Sequence, residues 1–232
     1  MLIVSTRRDN SVFSHGPVTW HPKDTSQTPL CLTEVRYRLA GQKCCVLIHG
    51  FNVADALDAY GSIAYQLREN YQAFVGATWP GSTFVTGFWF ARHRAATSGK
   101  LLANALSFLD PSLLDIQAHS LGCRVALEAL NAGLRCRNLI LAAAAVGAGD
   151  LSGRYAGAAM NAARVIVAHS KHDGVLSRAY RLALWSRALG LDGPAPGPTP
   201  PTVEAWDVAA GVEKHGDYKR SRFYLDRWRE AA

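Results

Sequence analysis

The chain has 232 residues, 49% hydrophobic and 19% charged, the balance of a globular protein rather than a disordered or low-complexity one. A chain of this length buries roughly 70% of the surface its unfolded form exposes, so one core forms without disulfide staples. The formal net charge of +7 favours anionic partners in principle. The basic residues are scattered among acidic ones, however, except in YKRSR and DRWRE near the end. Those runs fit the solvated face of a C-terminal helix, and no nucleic-acid motif accompanies them.

The five cysteines (Cys31, Cys44, Cys45, Cys123, Cys136) are odd in number and lack CxxC spacing, which argues against a disulfide framework and a zinc site. A reducing cytoplasm is the expected setting. The opening MLIVSTRRDN has too short an apolar run for a signal peptide, and no stretch approaches the roughly 18 apolar residues of a membrane span.

In chain order, Leu2 to Thr6 and Glu34 to Ala40 read as early strands at one edge, with His15 and His21 in the loop between them. Cys44 to Gly50 is a continuous aliphatic and β-branched run, as expected for a strand buried on both faces. A helix is predicted from Asp55 to Glu69, then a strand from Ala73 to Trp79 stopped by Pro80-Gly81, then helical composition from Phe88 to Leu109. A strand up to His119 and a helix after Leu121 follow. Arg137 to Gly147, Ala163 to Ser170 and Thr202 to Ala209 complete the strands. Strands alternating with helical segments predict a mostly parallel central sheet with helices on both faces. The proline-rich LDGPAPGPTPP (Leu191 to Pro201) reads as a stiff surface loop, so residues 1–232 are expected to form one domain.

One corner carries chemistry. In AHSLG (Ala118 to Gly122) a strand ends, a helix begins, and Ser120 has a small residue two positions to either side. A sharp strand-to-helix turn strains the serine backbone and exposes its hydroxyl at the carboxyl edge of the sheet, beside the free N–H groups of a helix start. By itself the pattern serves equally well as a helix cap. VLIHGFN (Val46 to Asn52) supplies a second part: a strand ending in His-Gly can turn across the sheet edge and present the Phe51 N–H. With the Leu121 N–H this makes a two-donor oxyanion hole.

A serine nucleophile needs a base, and the base needs an orienting carboxylate. Of eight histidines, His215 follows the last predicted strand, where a base is delivered to the carboxyl edge; His119 adjoins Ser120 and is expected to point away. Asp173 follows the strand ending near His169, with Asp150 as the rival acid. The order Ser120, Asp173, His215 is that of α/β-hydrolases.

The blocks STRR (Ser5 to Arg8), HGFNV (His49 to Val53), TWPGS (Thr78 to Ser82), AHSLG, HSKHDGVLS (His169 to Ser177) and KHGDY (Lys214 to Tyr218) together resemble the bacterial alpha/beta-hydrolase family of unknown function. The resemblance spans nearly the whole chain. It implies an α/β-hydrolase fold, a Ser120–Asp173–His215 triad and no metal or organic cofactor. Departures are modest: Ala118 stands at the corner's first small position, and WPG stands where Trp-Pro-Ser is frequent.

The expected activity is esterase- or lipase-like hydrolysis of a carboxylic ester or thioester, a small-molecule ester or acyl substrate, through an acyl-enzyme. The competing expectation is a non-catalytic binding or scaffolding protein that retains the fold. About fifteen residues between two late strands leave little or no room for a cap, so cover for the site is sought in FVTGFWF. Phe84 and Phe88, with Trp79, are the predicted pocket residues; equally, these aromatics belong to the core of the next helix.

Overall fold

The structure is a computed structural model that describes residues 1–8, 11–22, 27–51, 57–81, 87–181 and 186–232. Its centre is an eight-stranded sheet in the order β2-β1-β4-β3-β5-β6-β7-β8. In chain order the strands are β1 (Leu2–Arg7), β2 (His15–His21), β3 (Cys44–Ile48), β4 (Ala73–Thr78), β5 (Leu114–His119), β6 (Cys136–Ala142), β7 (Ala162–His169) and β8 (Val203–Asp207). Only β2 runs antiparallel, against β1; every other neighbouring pair is parallel. Parallel strands need crossovers, which place helices on both faces.

The helices are α1 (Leu32–Leu39), α2 (Leu57–Gln66), α3 (Phe88–Leu106), α4 (Gly122–Asn131), the short α5 (Ala156–Ala159) and α6 (Leu189–Asp192), and the C-terminal α7 (Arg222–Ala231). On one face α3 and α4 pack closely, since Gly99 lies where a Cβ would sit 2.6 Å from that of Glu128. The opposite face is covered by α2 and by α7, which buries Tyr224, Leu225 and Trp228. Its basic residues point outward, as the sequence indicates. Between β6 and β7 the only helix is α5, of four residues, so this connection carries no cap.

Two edge elements differ from expectation. Glu34 to Ala40 is not a strand but lies mostly in α1. Val35, Tyr37 and Leu39 alternate like a strand, yet only Val35 and Leu39 are buried, and Tyr37 is 86% exposed. The pair spaced i, i+4 is the real signal, marking one face of a helix. The missed strand is β2. Gly16 and Pro17 argue for a loop, but an edge strand tolerates proline because an edge N–H has no ladder partner to lose. The register against β1 shifts at this point, between Ser5 and Arg7.

Asp115 and Gln117 are unusual in a central strand. Asp115 is fully buried and satisfied: it accepts from the Tyr71 hydroxyl at 2.7 Å, from Arg137 at 2.9 and 2.6 Å, and from the Asn138 backbone N–H at 3.2 Å. A buried carboxylate so bonded pins β5, β6 and the loop before β4 together. Gln117 faces the Tyr224 hydroxyl of α7 instead. Among the described residues no helix is long and apolar enough to cross a membrane.

Candidate functional site

The site is built at the carboxyl ends of β3, β5, β7 and β8. Between β5 and α4 the chain turns through Ser120, whose φ of 55° is in the left-handed region. Such a conformation costs a non-glycine residue on the order of 1–3 kcal/mol and persists only where surroundings over-determine it. Here the Ser120 N–H donates to Ala142 O at 2.9 Å, and Ser120 O accepts from the N–H groups of Cys123 and Ala145, both at 3.1 Å. Neighbouring backbones close in on both sides. A Cβ on Gly122 would lie 2.3 Å from His49 O, and one on Gly50 would lie 2.8 Å from the Ser120 Cβ. Ala118 is fully buried at the corner's first small position.

The structure brings Ser120, His215 and Asp173 into one line. His215 Nε2 is 2.9 Å from Ser120 Oγ, and His215 Nδ1 is 2.7 Å from Asp173 Oδ2. Asp173 is fully buried. Its Oδ1 accepts from the Val175 and Leu176 N–H groups, each at 3.0 Å, at the start of a π-helical segment, Val175–Tyr180. Two loops must be held in register for this, and Ser170 joins them: its buried hydroxyl donates to Val212 O at 2.6 Å, from the acid loop to the histidine loop. Asp217 closes the histidine loop by accepting from the Lys214 N–H at 2.8 Å. Asp150, the rival acid, instead accepts from the Gly147 N–H at 2.9 Å and closes its own turn.

His119 contributes where the sequence reading gave it no part. Its Nε2–H donates to the His215 carbonyl at 2.8 Å, and the two rings lie 4.8 Å apart between centroids. Burial, with a lesser push from His215, lowers its pKa to about 4, so the ring is neutral near pH 7 and acts as a backbone clamp for His215. The signal was available: strand alternation puts His119 on the face shared by Asp115 and Gln117, not on that of Ala118.

Three separate sequence blocks meet at the end of β3. The His49 Nδ1–H donates to Gly50 O at 2.7 Å, so Nε2 accepts, from Arg7 Nη2 at 3.1 Å and from the Trp79 N–H at 3.3 Å. The Trp79 indole N–H donates to His49 O at 2.8 Å, and Arg7 Nε donates to Trp79 O at 2.9 Å. The Tyr60 hydroxyl accepts from the His49 N–H at 2.9 Å and donates to Ala77 O at 2.6 Å. This network fixes the strand end from which Gly50 and Phe51 turn. Among the described residues neither the Phe51 nor the Leu121 N–H donates to a backbone carbonyl.

Burial, reinforced by the Arg7 charge, lowers the His49 pKa to about 3. The folded value lies below the unfolded value of 6.5, so unfolding takes up a proton between those limits. The stabilisation is complete above about pH 6.5 and is lost as pH falls toward 3. His119 acts in the same direction. Acidification from pH 7 to 5 is expected to cost about 2 kcal/mol through His49, with a further loss through His119. Urea denaturation at the two pH values checks this, and unchanged or higher stability at pH 5 would contradict it.

A cleft of about 400 Å³ opens at Ser120 and His215 and runs between α2 and the Gly216–Lys219 turn, with Ile48, Phe51 and Gln117 on the strand side. The predicted pocket residues fare differently. Trp79 is fully buried and stacks on His49 at 5.6 Å, so it is core rather than cleft wall. The indole is held there by its own hydrogen bond to β3. Phe88 is half-buried and packs edge-on against Phe51 at 5.7 Å, behind the cleft wall rather than in it. Phe84 lies outside the described residues, as do Asn52, Val53 and Ser82 of the quoted blocks. The cleft residues from α2 and from the Gly216–Lys219 turn had no sequence signal, because only the crossovers bring them to β5.

Residues 31–181 match a family described as alpha/beta hydrolases of unknown function (DUF900). Similar solved structures include one described as a hydrolase of the alpha/beta superfamily from Xanthomonas campestris pv. campestris, 15% identical over 82% of this chain and 98% of that one, TM-score 0.46. The catalytic core of acetyl xylan esterase from Trichoderma reesei is 10% identical over 80% and 98%, TM-score 0.40. A type II thioesterase of the yersiniabactin pathway is 16% identical over 83% and 91%, TM-score 0.42. No curated protein matches the chain.

Proposed function

The chain belongs to the family of alpha/beta hydrolases of unknown function, and from that premise we propose that it is a serine hydrolase cleaving a small carboxylic ester or thioester. The observation that carries the reading is the hydrogen-bonded line from Ser120 Oγ through His215 to Asp173, at 2.9 and 2.7 Å, with Ser120 held at a strained φ of 55°. A helix cap requires neither a histidine at its hydroxyl nor a buried carboxylate behind that histidine.

In this reading Asp173 accepts the Nδ1 proton of His215, leaving Nε2 as the lone pair that removes the Ser120 proton during attack on the substrate carbonyl. The Phe51 and Leu121 N–H groups receive the oxyanion of the tetrahedral intermediate. One donor of this kind is typically worth about 2.7–4 kcal/mol in the transition state. His215 then passes its proton to the departing alcohol or thiol, and water, deprotonated by the same nitrogen, releases the acyl group. These residues supply nucleophile, base, acid and oxyanion donors, so the mechanism calls for no metal or organic cofactor.

A fluorophosphonate probe, which phosphonylates an activated serine, tests the proposal together with a chain-length panel of nitrophenyl esters. The wild type is expected to label at one site and to hydrolyse esters, and Ser120→Ala to do neither. Equal labelling of the variant would move the nucleophile elsewhere. No labelling of folded wild type would favour a binding protein that retains the fold.

A further inference from the structure

Arg124 stands four residues after Ser120, in the first turn of α4, and its side chain is 8% exposed. A guanidinium so buried is normally matched by a hydrogen-bonded carboxylate. The carboxylate facing it is Glu128, whose Oε1 already accepts from Arg154 Nη2 at 2.8 Å and from the Tyr155 hydroxyl at 2.7 Å. Arg124 Nη2 stays 3.7 Å from that oxygen, an ion pair outside hydrogen-bonding distance. Among the described residues, Arg124 Nε is buried with no hydrogen-bond partner. An unused donor on a buried charge is costly, and a bound anion is the acceptor that suits it.

A second guanidinium approaches from α3, which packs along α4 where Gly99 meets Glu128 and the Val125 carbonyl. Arg92 is half-buried, stacks on the Trp89 ring at 5.3 Å and, among the described residues, has no carboxylate at ion-pair distance. Burial first, then the Arg124 charge, lowers the Arg92 pKa, against the opposing pull of Tyr180 and Asp150. Three guanidinium groups thus meet two carboxylates, and Asp150 is engaged by the Gly147 N–H. The pair lies close to the chemistry. Tyr180 packs edge-on against Phe88 at 6.4 Å, and Phe88 against Phe51, the proposed oxyanion donor, at 5.7 Å. Neither arginine lines the cleft, which opens on the α2 side of the sheet.

We propose that Arg92 and Arg124 form an anion subsite beside Ser120, which takes a carboxylate or phosphate group on the half of the substrate that lies outside the cleft. That the anion belongs to a substrate rests on Ser120 being the nucleophile; that an anion binds does not. The planar guanidinium fork offers parallel N–H groups to two oxygens of one such anion. Salt screens a buried charge far less than an exposed one, so the subsite discriminates at physiological ionic strength. An ester has two halves and the cleft encloses one, so charge recognition of the other supplies selectivity without a cap. The net charge of +7 assists the approach of such a substrate.

Thermal melting in inorganic phosphate and in glutarate, each against sodium chloride of matched ionic strength, tests this on the wild type, Arg92→Met, Arg124→Met and Arg164→Met. Arg164 is the control, paired with Glu204 at 2.8 Å at the β7–β8 end of the sheet. At ten times Kd, the wild type and Arg164→Met are expected to gain about 3–6 °C in at least one anion. The anion with the tighter midpoint identifies the group as phosphate or carboxylate. Arg92→Met and Arg124→Met are expected to lose the gain. Arg92 is half-buried and hydrogen-bonded to no other described residue, so Arg92→Met keeps the test decisive if Arg124→Met does not fold. No gain in the wild type beyond that in chloride overturns the inference. So does a gain that survives in either folded variant, or one that Arg164→Met also loses. Melting requires no turnover, so the result is independent of fluorophosphonate labelling, whose failure would sink the hydrolase reading instead.

Discussion

Asp173→Asn is expected to lower kcat by about 10⁴-fold without unfolding the protein. The reason is specific to how the carboxylate is held. Its Oδ1 already accepts two backbone N–H groups, from Val175 and Leu176. An asparagine must place its one carbonyl oxygen there, which turns its NH₂ toward His215 Nδ1. That nitrogen can then only accept, so the proton moves to Nε2, the atom facing Ser120 Oγ at 2.9 Å. The base is present but in the wrong tautomer. Steady-state hydrolysis of a nitrophenyl ester measures the loss, and imidazole ¹⁵N shifts report the tautomer. Asp150→Asn serves as the comparison and should stay within a few-fold of wild type. A folded Asp173→Asn that keeps a tenth of the wild-type kcat would remove Asp173 from the proposed triad.

Gly122→Ala is the second large effect, and it acts on stability and activity together. The added methyl would lie 2.3 Å from His49 O and 2.8 Å from Ile48 O. Both are backbone atoms of the β3 end, so no rotamer change relieves the contact. The corner and the strand carrying Gly50 and Phe51 must separate instead. Overpacking of this kind costs about 3 kcal/mol, or a fall in Tm of roughly 6–12 °C for a chain of this size. Hydrolysis should fall further than the melting point implies, because the separation pulls the Phe51 N–H away from Ser120. Gly61→Ala is the control: nothing lies within 4 Å of its Cβ position in α2, and helix propensity predicts a gain of up to about 1 kcal/mol. Calorimetric melting of both variants decides the matter. A Gly122→Ala protein that melts with the wild type would mean that the corner is looser than drawn.

These two variants also show where sequence reasoning was strong. Gly122, Ser120 and Gly50 are local devices: each serves a turn whose geometry is set within five residues, so the residue types announce them. The parallel sheet was legible for a similar reason. Strands buried on both faces read as aliphatic runs, as in Cys44 to Ile48 and Leu139 to Ala142, and no long-range information is needed to recognise them. The edge was harder to read. There one face meets solvent and the ladder is incomplete, so Pro17 was tolerated in β2 and the alternation of α1 misled. Chain order alone placed Asp173 and His215 after their strands.

Other features follow from contacts between residues far apart in the chain. Trp79 reads as a pocket aromatic from its neighbours in sequence, and becomes core because its indole meets the His49 carbonyl thirty residues earlier. His119 reads as pointing away from the chemistry, and becomes the clamp on His215 because the loop after β8 returns the chain to the end of β5 across ninety-six positions. Gln117 looked like a misfit in a central strand until α2 and the turn after His215 closed a cleft over it. The sequence by itself determined the parallel sheet and the strained serine corner, and it set Asp173 and His215, the acid and base proposed for Ser120, after their strands, because local sterics and strand order encode these. Only the tertiary structure decided which side chains wall the cleft, which brace the histidine and which are buried beneath, because those depend on crossovers whose packing no short window of sequence contains.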